Sequence, residues 1–344
     1  MKGSNRLGLY TLCKSVPPVF KGFSKAHYRG RESHRGIDTE EEKCREVHQV
    51  AMRWCVYVVV LLSCCTACNR RHRIVVGCKN FTEQNILGEL IAQQIENKTH
   101  LPVERRFYLG GTYIAHQSIL AGRIDIYPEY TGTALTAILE QKAAGSNADR
   151  KAVFDRVKSE YERRFQLTLT APFGFNDTFA IEIRGDDARR LQLETISQAA
   201  QYTPLWRAGF GYEFVERDDG YKGLIASYGL RFAEPPRIMD LGLLTRALKD
   251  HQVDLIAGNM TDGLIPALDL FVLQDDKHYF PPYEAVPVVR EQTLAAHPEL
   301  RQALDELGGA ISDSEMRQLN YKVDGEKQDV KGVIREFLHR KGLT

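Results

Sequence analysis

The chain has 344 residues, of which 43% are hydrophobic and 26% charged, an ordinary composition for a globular protein and enough length for two domains or lobes. Lys and Arg together number 46 and Asp and Glu 45, so the formal net charge of +1 creates no long-range field that favours nucleic acid or an acidic membrane surface. Partners must therefore be recognised by local groups.

The segment from Met52 to Cys68 has the layout of an export signal. It reads MRWCVYVVVLLSCCTAC, with one positive charge, an apolar run too short to span a bilayer, and then small residues and cysteines. Cys64 and Cys68 each end a stretch similar to a bacterial lipobox, in which the cysteine becomes lipidated, and both remain candidates. Residues 1–51 are polar and lack sustained apolar periodicity, so we interpret them as a leader that is disordered or not translated.

Cysteine usage separates this first part of the chain from the rest. Six cysteines precede residue 70, and only Cys78 lies in the remaining body of the protein. A disulfide within the body is therefore excluded. Cys78 ends the apolar stretch RIVVGCK, where a thiol most simply serves as a small buried hydrophobic group.

Strand and helix patterns alternate from Arg73 onward. RIVVGCK predicts a strand, Asn80 or Thr82 is placed to cap the next helix, and apolar residues recur at helical spacing through residues 86–95. VERRFYL predicts a second strand, residues 113–121 a helix and RIDIY a third strand, after which we interpret YPEYTGT as a loop. This repeated order predicts an α/β fold with mainly parallel sheets flanked by helices.

Two segments of the chain share one construction. SILAGRIDIYPEYTG and RALKDHQVDLIAGNMTDG each combine a helix end, a strand that starts with Ile/Val-Asp, and a loop that closes on glycine. We therefore predict two lobes, the first formed by residues 73–175 and 287–344 and the second by residues 176–286. The carboxyl ends of their strands are expected to face each other across a cleft, and the C-terminal helical region is expected to pack on the first lobe.

The sequence contains no pattern typical of a metal site or of a nucleotide-binding loop. The histidines after residue 71 are scattered without metal-ligand spacing, and the glycine pairs do not form a phosphate loop. Asp125 and Glu129 are candidates for an acid and a base, but a carboxylate in the position of Asp125 more often makes a structural hydrogen bond. We therefore predict no enzyme activity, no metal and no cofactor.

Aromatic and basic side chains next to turn-forming residues are more informative. Tyr130, Phe179 and Tyr283 all lie beside such residues, and Arg217 lies in FVERDDGY. Any one ring alone is better explained as part of a hydrophobic core. Together they suit a bulky cation that donates no hydrogen bonds, because ring faces attract a quaternary ammonium by about 0.5–2 kcal/mol per contact. Arginine adds a fork for a carboxylate.

Seven motifs carry a resemblance to one family. They are VGCKNFTEQNILGELIAQQIE, LGGT, GRIDIYPEYTGTAL, GFNDTFAI, FVERDDGYKGL, MTDG and FPPYEAVPVV. From about Arg73 to the C-terminus, the chain resembles the substrate-binding proteins of ABC transporters for glycine betaine, choline and related osmoprotectants. The resemblance implies a periplasmic-binding-protein-like clamp of two lobes with a hinge and a ligand in the cleft between them.

The resemblance also implies which residues bind the ligand. Five residues of this chain match ligand-binding positions of the family motifs: Lys79, Tyr130, Thr133, Arg217 and Tyr283. In this interpretation the rings enclose a trimethylammonium group, while Arg217, Lys79 and Thr133 hold the carboxylate of a betaine-like ligand.

Two positions depart from the family pattern. Phe179 stands where many members have tyrosine, and Asn259 stands where another cage tyrosine is common. Tyr113, next to GGT, is a further candidate for a missing ring face. The ligand therefore stays open among glycine betaine, choline, carnitine, proline betaine and another cationic amine.

The resemblance implies a monomeric receptor outside the cytoplasm, periplasmic or at the cell surface, anchored to the membrane through its lipid. Its partners are a small quaternary amine or zwitterion and an ABC permease with its ATPase, and nucleic acid is not expected. Three alternatives stay open: a binding protein for another small amine or amino acid, an exported enzyme that uses the same cleft, and a sensor or adhesin domain.

Overall fold

Two five-stranded sheets organise the residues that the computed structural model describes, 73–142 and 149–344. The strands in chain order are β1 (Ile74–Gly77), β2 (Val103–Arg106), β3 (Ile126–Tyr130), β4 (Leu167–Leu169), β5 (Phe179–Arg184), β6 (Ala208–Phe210), β7 (Arg237–Ile238), β8 (Leu255–Asn259), β9 (Leu270–Leu273) and β10 (Ala285–Arg290). The predicted export signal, Cys64, Cys68 and residues 1–51 lie outside the described residues.

Both sheets have the same topology. The strand orders are β2-β1-β3-β10-β4 in the first sheet and β7-β6-β8-β5-β9 in the second. In the first sheet β1 is parallel to β2 and β3, whereas β10 is antiparallel to β3 and β4. In the second sheet β6 is parallel to β7 and β8, whereas β5 is antiparallel to β8 and β9. Each sheet therefore has four strands in one direction and one reversed strand.

The reversed strands are the ones that enter a sheet after the chain has crossed from the other sheet. β5 follows the first crossing and β10 follows the second, and an isolated bridge between Asn176 and Glu284 joins the two crossing segments. The two sheets with their helices are called the first and the second lobe below. The predicted two-lobed α/β fold is confirmed, and its parallel order is interrupted in each lobe by the crossing strand.

Helices pack on both sheets. They are α1 (Thr82–Thr99), α2 (Thr112–Leu120), α3 (Arg150–Phe165), α4 (Gly185–Leu191), α5 (Ile196–Ala199), α6 (Tyr212–Glu216), α7 (Tyr221–Tyr228), α8 (Leu241–Lys249), α9 (Leu264–Ala267), α10 (Glu291–Ala296), α11 (Glu299–Asp305), α12 (Asp313–Asp324) and α13 (Val330–Lys341). As predicted, the C-terminal helices α11, α12 and α13 pack on the first lobe, against α1. Within the described residues, every helix is too short or too polar to cross a bilayer.

The start of α1 differs from the prediction. The residue before the helix is Phe81, which caps it without a side-chain hydrogen bond, and Thr82 is already inside the first turn. The Thr82 hydroxyl instead donates to Asp324 of α12 at 2.8 Å. The Thr82 hydroxyl, predicted from the local sequence to cap the helix, therefore makes a tertiary hydrogen bond instead.

The motif YPEYTGT is part of a strand and a helix, not a loop. β3 extends through Tyr130 because residues 126–130 pair with β10, with Tyr130 opposite Ala285. A helical turn, Thr131–Thr133, follows at once and continues as a π-helical turn, Ala134–Ile138. Turns of this kind are rare and often occur at functional sites.

The repeated construction noticed in the sequence corresponds to equivalent parts of the two lobes. Asp125, just before β3, accepts the backbone N–H of Val75 at 2.9 Å, and Asp254, just before β8, accepts that of Arg207 at 3.0 Å. Asp125 also accepts the Thr293 hydroxyl at 2.8 Å. The expected structural role of Asp125 is thus confirmed, and Asp254 has the same role in the second lobe.

Candidate ligand-binding site

A cavity of about 140 Å³ lies between the two lobes. Seven of the predicted ligand-binding residues line it: Lys79, Tyr130, Thr133, Phe179, Arg217, Asn259 and Tyr283. Side chains that the sequence analysis did not assign to the site also line it, among them Phe81, Asp177, Glu213, Phe214 and Asp240. The fold thus gathers residues from both lobes and from the second crossing around one space.

The ends of strands place these groups. Tyr130 and Asn259 are the last residues of β3 and β8, which hold equivalent positions in the two sheets. Phe179 is the first residue of the reversed strand β5 and lies opposite Asn259. Because parallel strands present their carboxyl ends at one edge of a sheet, the side chains at those ends converge on the cleft.

Aromatic rings form two groups at the cavity. Phe179 lies 5.5 Å from Tyr283 and 4.9 Å from Phe214, measured between ring centroids, and both contacts are edge-to-face. On the first lobe, Phe81 stacks on Tyr130 at 6.4 Å. The two predicted tyrosines therefore lie in different ring groups that share one cavity.

Arg217 is buried and nearly saturated with hydrogen bonds. Its Nε and Nη2 donate to Asp219 at 2.8 and 2.5 Å, Nη1 donates to Thr133 at 3.1 Å, and Nη2 also donates to Thr136 at 3.4 Å. These bonds use four of the five N–H groups of a guanidinium. One N–H on Nη1 therefore remains for a ligand, and the Thr133 and Thr136 contacts tie Arg217 of the second lobe to the first.

Asp219 links Arg217 to the ring of Tyr283. The Tyr283 hydroxyl donates to Asp219 at 2.6 Å. Burial opposes ionisation of Asp219, but hydrogen bonds and charge from Arg217 outweigh burial, so the pKa of Asp219 is lowered. Asp219 thus stays charged and orients both a cation and a ring at the cavity.

Lys79 forms a corresponding ion pair within the first lobe. Its ammonium group contacts Glu129, and the two side chains are 3% and 0% exposed. Glu129 was a candidate acid or base from the sequence; in the structure it is the partner of Lys79, and its second carboxylate oxygen has no hydrogen-bond partner among the described residues. Lys79 retains two of its three N–H groups for other acceptors.

The rings at the cavity already contact cationic groups of the protein. The Lys79 ammonium lies 5.2 Å from the centroid of the Tyr130 ring. The Arg217 guanidinium carbon lies 5.2 Å from the Phe179 centroid and 5.9 Å from that of Tyr283. These distances are within the range of cation–π attraction. The ring faces are therefore arranged so that a positive group is stabilised next to them.

A buried network behind Tyr130 was missed by the sequence analysis. Glu83 accepts hydrogen bonds from the Tyr130 hydroxyl at 2.7 Å, from Thr261 at 2.5 Å and from Asn320 at 2.9 Å. Thr261 also lies 2.7 Å from Asp177. Burial raises the pKa of Glu83, and burial together with the charge of Glu83 raises the pKa of Asp177 well above its usual range.

The lobes touch at the mouth of the cavity. Glu213, in α6 of the second lobe, accepts the backbone N–H of Thr112 and its hydroxyl, the latter at 3.1 Å. Thr112 opens α2, so the carboxylate lies where the helix dipole favours negative charge. Tyr113, the neighbouring candidate from the sequence, is 47% exposed and does not line the cavity.

A second, more open groove of about 550 Å³ lies behind Phe179. Arg150, Asn176 and His278 are among its lining residues. Most of its lining residues belong to the second lobe, and Lys79, Glu129, Arg217 and Asp219 are not among them. The smaller cavity is the candidate site because the strand ends, rings and charged pairs of both lobes meet there.

The candidate catalytic and metal-ligating groups are otherwise dispersed. Among residues 73–142 and 149–344, no three His, Cys, Asp or Glu side chains cluster as a metal site would require. Burial raises the pKa of the Cys78 thiol to about 12, so this cysteine is a poor nucleophile. Its side chain is buried, in agreement with the predicted structural role.

The fold and the site together define a two-lobed solute-binding protein. The chain belongs to the family described as the substrate-binding domain of ABC-type glycine betaine transport systems, whose model matches residues 72–340. A crystal structure described as a glycine betaine/carnitine/choline ABC transporter is similar, with a TM-score of 0.65 and 33% identity, over 78% of this chain and 99% of the other.

Curated relatives support the same family. The chain is 36% identical over 271 residues to an ergothioneine transport permease/ergothioneine binding protein of Helicobacter pylori, covering 78% of this chain but only 48% of that protein. It is also 36% identical over 271 residues to a carnitine transport binding protein of Listeria monocytogenes, covering 78% and 86%. The predicted role as the substrate-binding component of an ABC importer is confirmed at the level of the family, and such components act outside the cytoplasm.

Proposed function

We propose that the chain captures a quaternary ammonium compound in the cavity between its lobes and delivers it to an ABC permease driven by an ATPase. The observation that carries this proposal is the convergence of Tyr130, Phe179 and Tyr283 with Lys79 and Arg217 on one cavity. The proposed lobe boundaries are those of the sequence analysis, residues 73–175 with 287–344 and residues 176–286.

The ring faces supply the selectivity for a methylated nitrogen. A quaternary ammonium donates no hydrogen bonds, so carboxylates and carbonyls hold it less specifically than they hold a primary amine. Ring faces attract it through their quadrupole, by about 0.5–2 kcal/mol per contact, depending on desolvation. Rings from both lobes surround such a group more completely than either lobe alone.

The polar end of the cavity is suited to a carboxylate or hydroxyl on the ligand. The remaining Nη1 N–H of Arg217, the two remaining N–H groups of Lys79 and the hydroxyl hydrogen of Thr133 are available as donors. The amide of Asn259, which lines the cavity, suits a ligand with an extra polar group. We therefore include carnitine and ergothioneine, named in the relatives, beside glycine betaine and choline.

Closure of the lobes is the proposed binding step. Bringing the lobes together adds rings to the cage and removes water from the charged pairs at the same time, which strengthens both interactions. The contacts of Arg217 with Thr133 and of Glu213 with Thr112 join the lobes in this arrangement. The receptor is proposed to be a monomer anchored through a lipid on Cys64 or Cys68.

A thermal-shift screen tests the proposed function. The panel contains glycine betaine, choline, carnitine, proline betaine and ergothioneine, with proteinogenic amino acids as the comparison set. A true ligand at about one hundred times its Kd should add roughly 2.7 kcal/mol of stability. Stabilisation by amino acids alone favours the alternative amine-binding role, and recovery of a chemically altered ligand after incubation favours an exported enzyme.

A further inference from the structure

Glu83 connects the proposed cation site to the interior of the protein. It lies in the first turn of α1, is 3% exposed and accepts hydrogen bonds from three parts of the fold. Tyr130 donates from the end of β3, Thr261 from the loop after β8, and Asn320 from α12. None of these contacts is needed to build either lobe's sheet, yet one of the donors is a ring of the cavity.

Hydrogen counting shows that this network contains a shared proton. The Thr261 hydroxyl oxygen lies 2.5 Å from Glu83 Oε2 and 2.7 Å from Asp177 Oδ1, but a hydroxyl has one hydrogen. Two carboxylate oxygens at such distances require a second hydrogen between one of them and Thr261. Glu83 receives further donors from Tyr130 and Asn320, whereas among the described residues Asp177 receives only the backbone N–H of Thr261, at 3.1 Å. We therefore assign the extra proton to the Asp177 side and the negative charge to Glu83.

A charged Glu83 changes the Tyr130 ring. A phenol that donates to a carboxylate gains electron density in its π system, and the ring face becomes more negative towards a cation. The same bond restrains the ring, which lowers the conformational entropy that binding has to remove. The polarisation depends on the charge of the carboxylate, so the isosteric Gln removes it while it keeps an oxygen that can accept the Tyr130 hydroxyl.

We propose that Glu83 is a positioning residue of the cation site: it holds and polarises the Tyr130 ring, and its shared proton makes cation binding depend on pH. The inference rests on the proposed function of the cavity. A bound cation favours the charged form of Glu83 and disfavours protonation of the Glu83–Asp177 pair. Affinity is therefore expected to rise with pH and to fall when acid neutralises Glu83.

Other charged groups near this network contribute to the electrostatic environment of Glu83 and Asp177. The Lys79 ammonium, paired with Glu129, lies 5.2 Å from the centroid of the Tyr130 ring, and Asp324 accepts the hydroxyl of Thr82, the residue before Glu83. Asp262 follows Thr261, and burial raises the pKa of Asp262 to about 6. Among the described residues, Lys79 is a cation in contact with the Tyr130 ring, and its ion pair is with Glu129 and not with Glu83.

A double-mutant cycle tests the proposal. Isothermal titration calorimetry with choline and with glycine betaine is performed from pH 5.5 to 8.5 on the wild type, Glu83→Gln, Tyr130→Phe and the double variant. Each single variant is expected to weaken binding by about three- to tenfold, since each removes the same charge-assisted bond. The double variant is expected to lose no more than either single variant, and both variants that contain Glu83→Gln are expected to lose the wild-type rise of affinity with pH.

Glu89→Gln is the matched control. Glu89 is a buried carboxylate on the same helix, but it pairs with Arg105 away from the cavity. Its substitution is expected to lower the melting temperature without changing the affinity or its pH profile. Tyr130→Phe removes the same hydrogen bond by deleting its donor. If Glu83→Gln does not fold, the affinity of Tyr130→Phe and its dependence on pH test the role of this bond.

Two results would overturn the inference while leaving the proposed function standing. In one, the losses from Glu83→Gln and Tyr130→Phe add in the double variant. In the other, Glu83→Gln retains wild-type affinity and pH dependence although Tyr130→Ala weakens binding by roughly thirtyfold. A wild type that binds none of the five quaternary ammonium compounds of the thermal-shift panel at any pH would overturn the proposed function and this inference with it.

Discussion

The two lobes share a scaffold but differ where they meet the cavity. At the amino ends of the equivalent strands β3 and β8, Asp125 accepts a backbone N–H from Val75 of β1, and Asp254 accepts one from Arg207, the residue before β6. Each also faces an arginine that ends a reversed strand, Arg290 at 3.6 Å and Arg184 at 2.8 Å. At the carboxyl ends the match stops, since β3 ends in Tyr130 and β8 in Asn259.

The ion pairs at the cavity show the same divergence. Lys79 and Glu129 both belong to the first lobe, so their ion pair lies within one lobe. Arg217 pairs with Asp219 in the second lobe but also reaches Thr133 in the first. One end of each repeated unit thus maintains the sheet, while the other end lines the cavity, where the buried side chains of the two lobes differ and make different pairs.

Arg217→Ala is expected to have the largest effect on binding. It leaves Asp219 buried without its cation, removes the contact with Thr133 and takes away a carboxylate donor, so glycine betaine should lose about 2–5 kcal/mol of binding free energy. Choline should lose much less, since it has no carboxylate. Calorimetry on both ligands measures the difference.

Lys79→Ala is the matched comparison for Arg217→Ala. Its pair lies within one lobe, so it should weaken glycine betaine less than Arg217→Ala does. Equal losses for the two variants would contradict the asymmetry between the pairs, and equal losses of choline and glycine betaine in Arg217→Ala would remove its role towards the carboxylate.

Tyr130→Ala is expected to cost about 2 kcal/mol of ligand binding, or roughly thirtyfold in Kd, because a whole ring face is lost from the cage. Tyr130→Phe keeps the ring face and should lose only the roughly three- to tenfold expected from the missing hydrogen bond to Glu83. The pair of variants is compared by calorimetry after circular dichroism has shown that both are folded. Similar losses in the two variants would mean that the hydroxyl, and not the ring, holds the ligand.

Asp254→Asn is expected to lower stability by about 2 kcal/mol at pH 7. Burial opposes ionisation of Asp254, but hydrogen bonds from Arg207 outweigh burial and lower its pKa to about 2. Its contribution is therefore present above the usual pKa of an aspartate and is lost as pH falls towards 2. Urea unfolding at several pH values measures this, and a variant that loses as much stability at pH 3 as at pH 7 would contradict the assignment.

Glu213→Gln is expected to have the smallest effect, a loss of about 0.5–1 kcal/mol of ligand-binding free energy. The carboxylate caps α2 across the cleft, so it stabilises the closed arrangement of the lobes more than it contacts the ligand. The affinities for choline and for glycine betaine should therefore fall by the same factor. Small-angle scattering of the liganded protein should show no change in the closed form. A loss confined to one ligand would show that Glu213 contacts that ligand.

Much of the site was accessible from sequence because its residues sit in motifs at element ends. The Tyr130 and Asn259 segments were recognised as repeats, and both end at the cavity. Tyr113 was a candidate for a missing ring face because it lies next to GGT, yet it is largely exposed and does not line the cavity. Proximity in a motif thus predicted which region meets the cleft, but not which side chain faces it.

The ion-pair and hydrogen-bond partners were not accessible in this way. Glu83 and Asn320 are separated by 237 positions, and Thr261 lies between them on the other lobe. No periodicity or turn signal links such residues. These hydrogen-bond partners become neighbours only in the folded chain, where α1, the loop after β8 and α12 meet.

By itself, the sequence determined the order of strands and helices, the doubled construction and the ring and cation residues at the ends of strands, because hydrophobic periodicity and turn chemistry act between neighbours in the chain. Only the tertiary structure decided which carboxylate pairs with which cation, which side chains meet Glu83, and that YPEYTGT continues a strand. Hydrogen bonds and charges act through space over a few ångströms, and in a buried site their strength depends on partners that the order of residues does not specify.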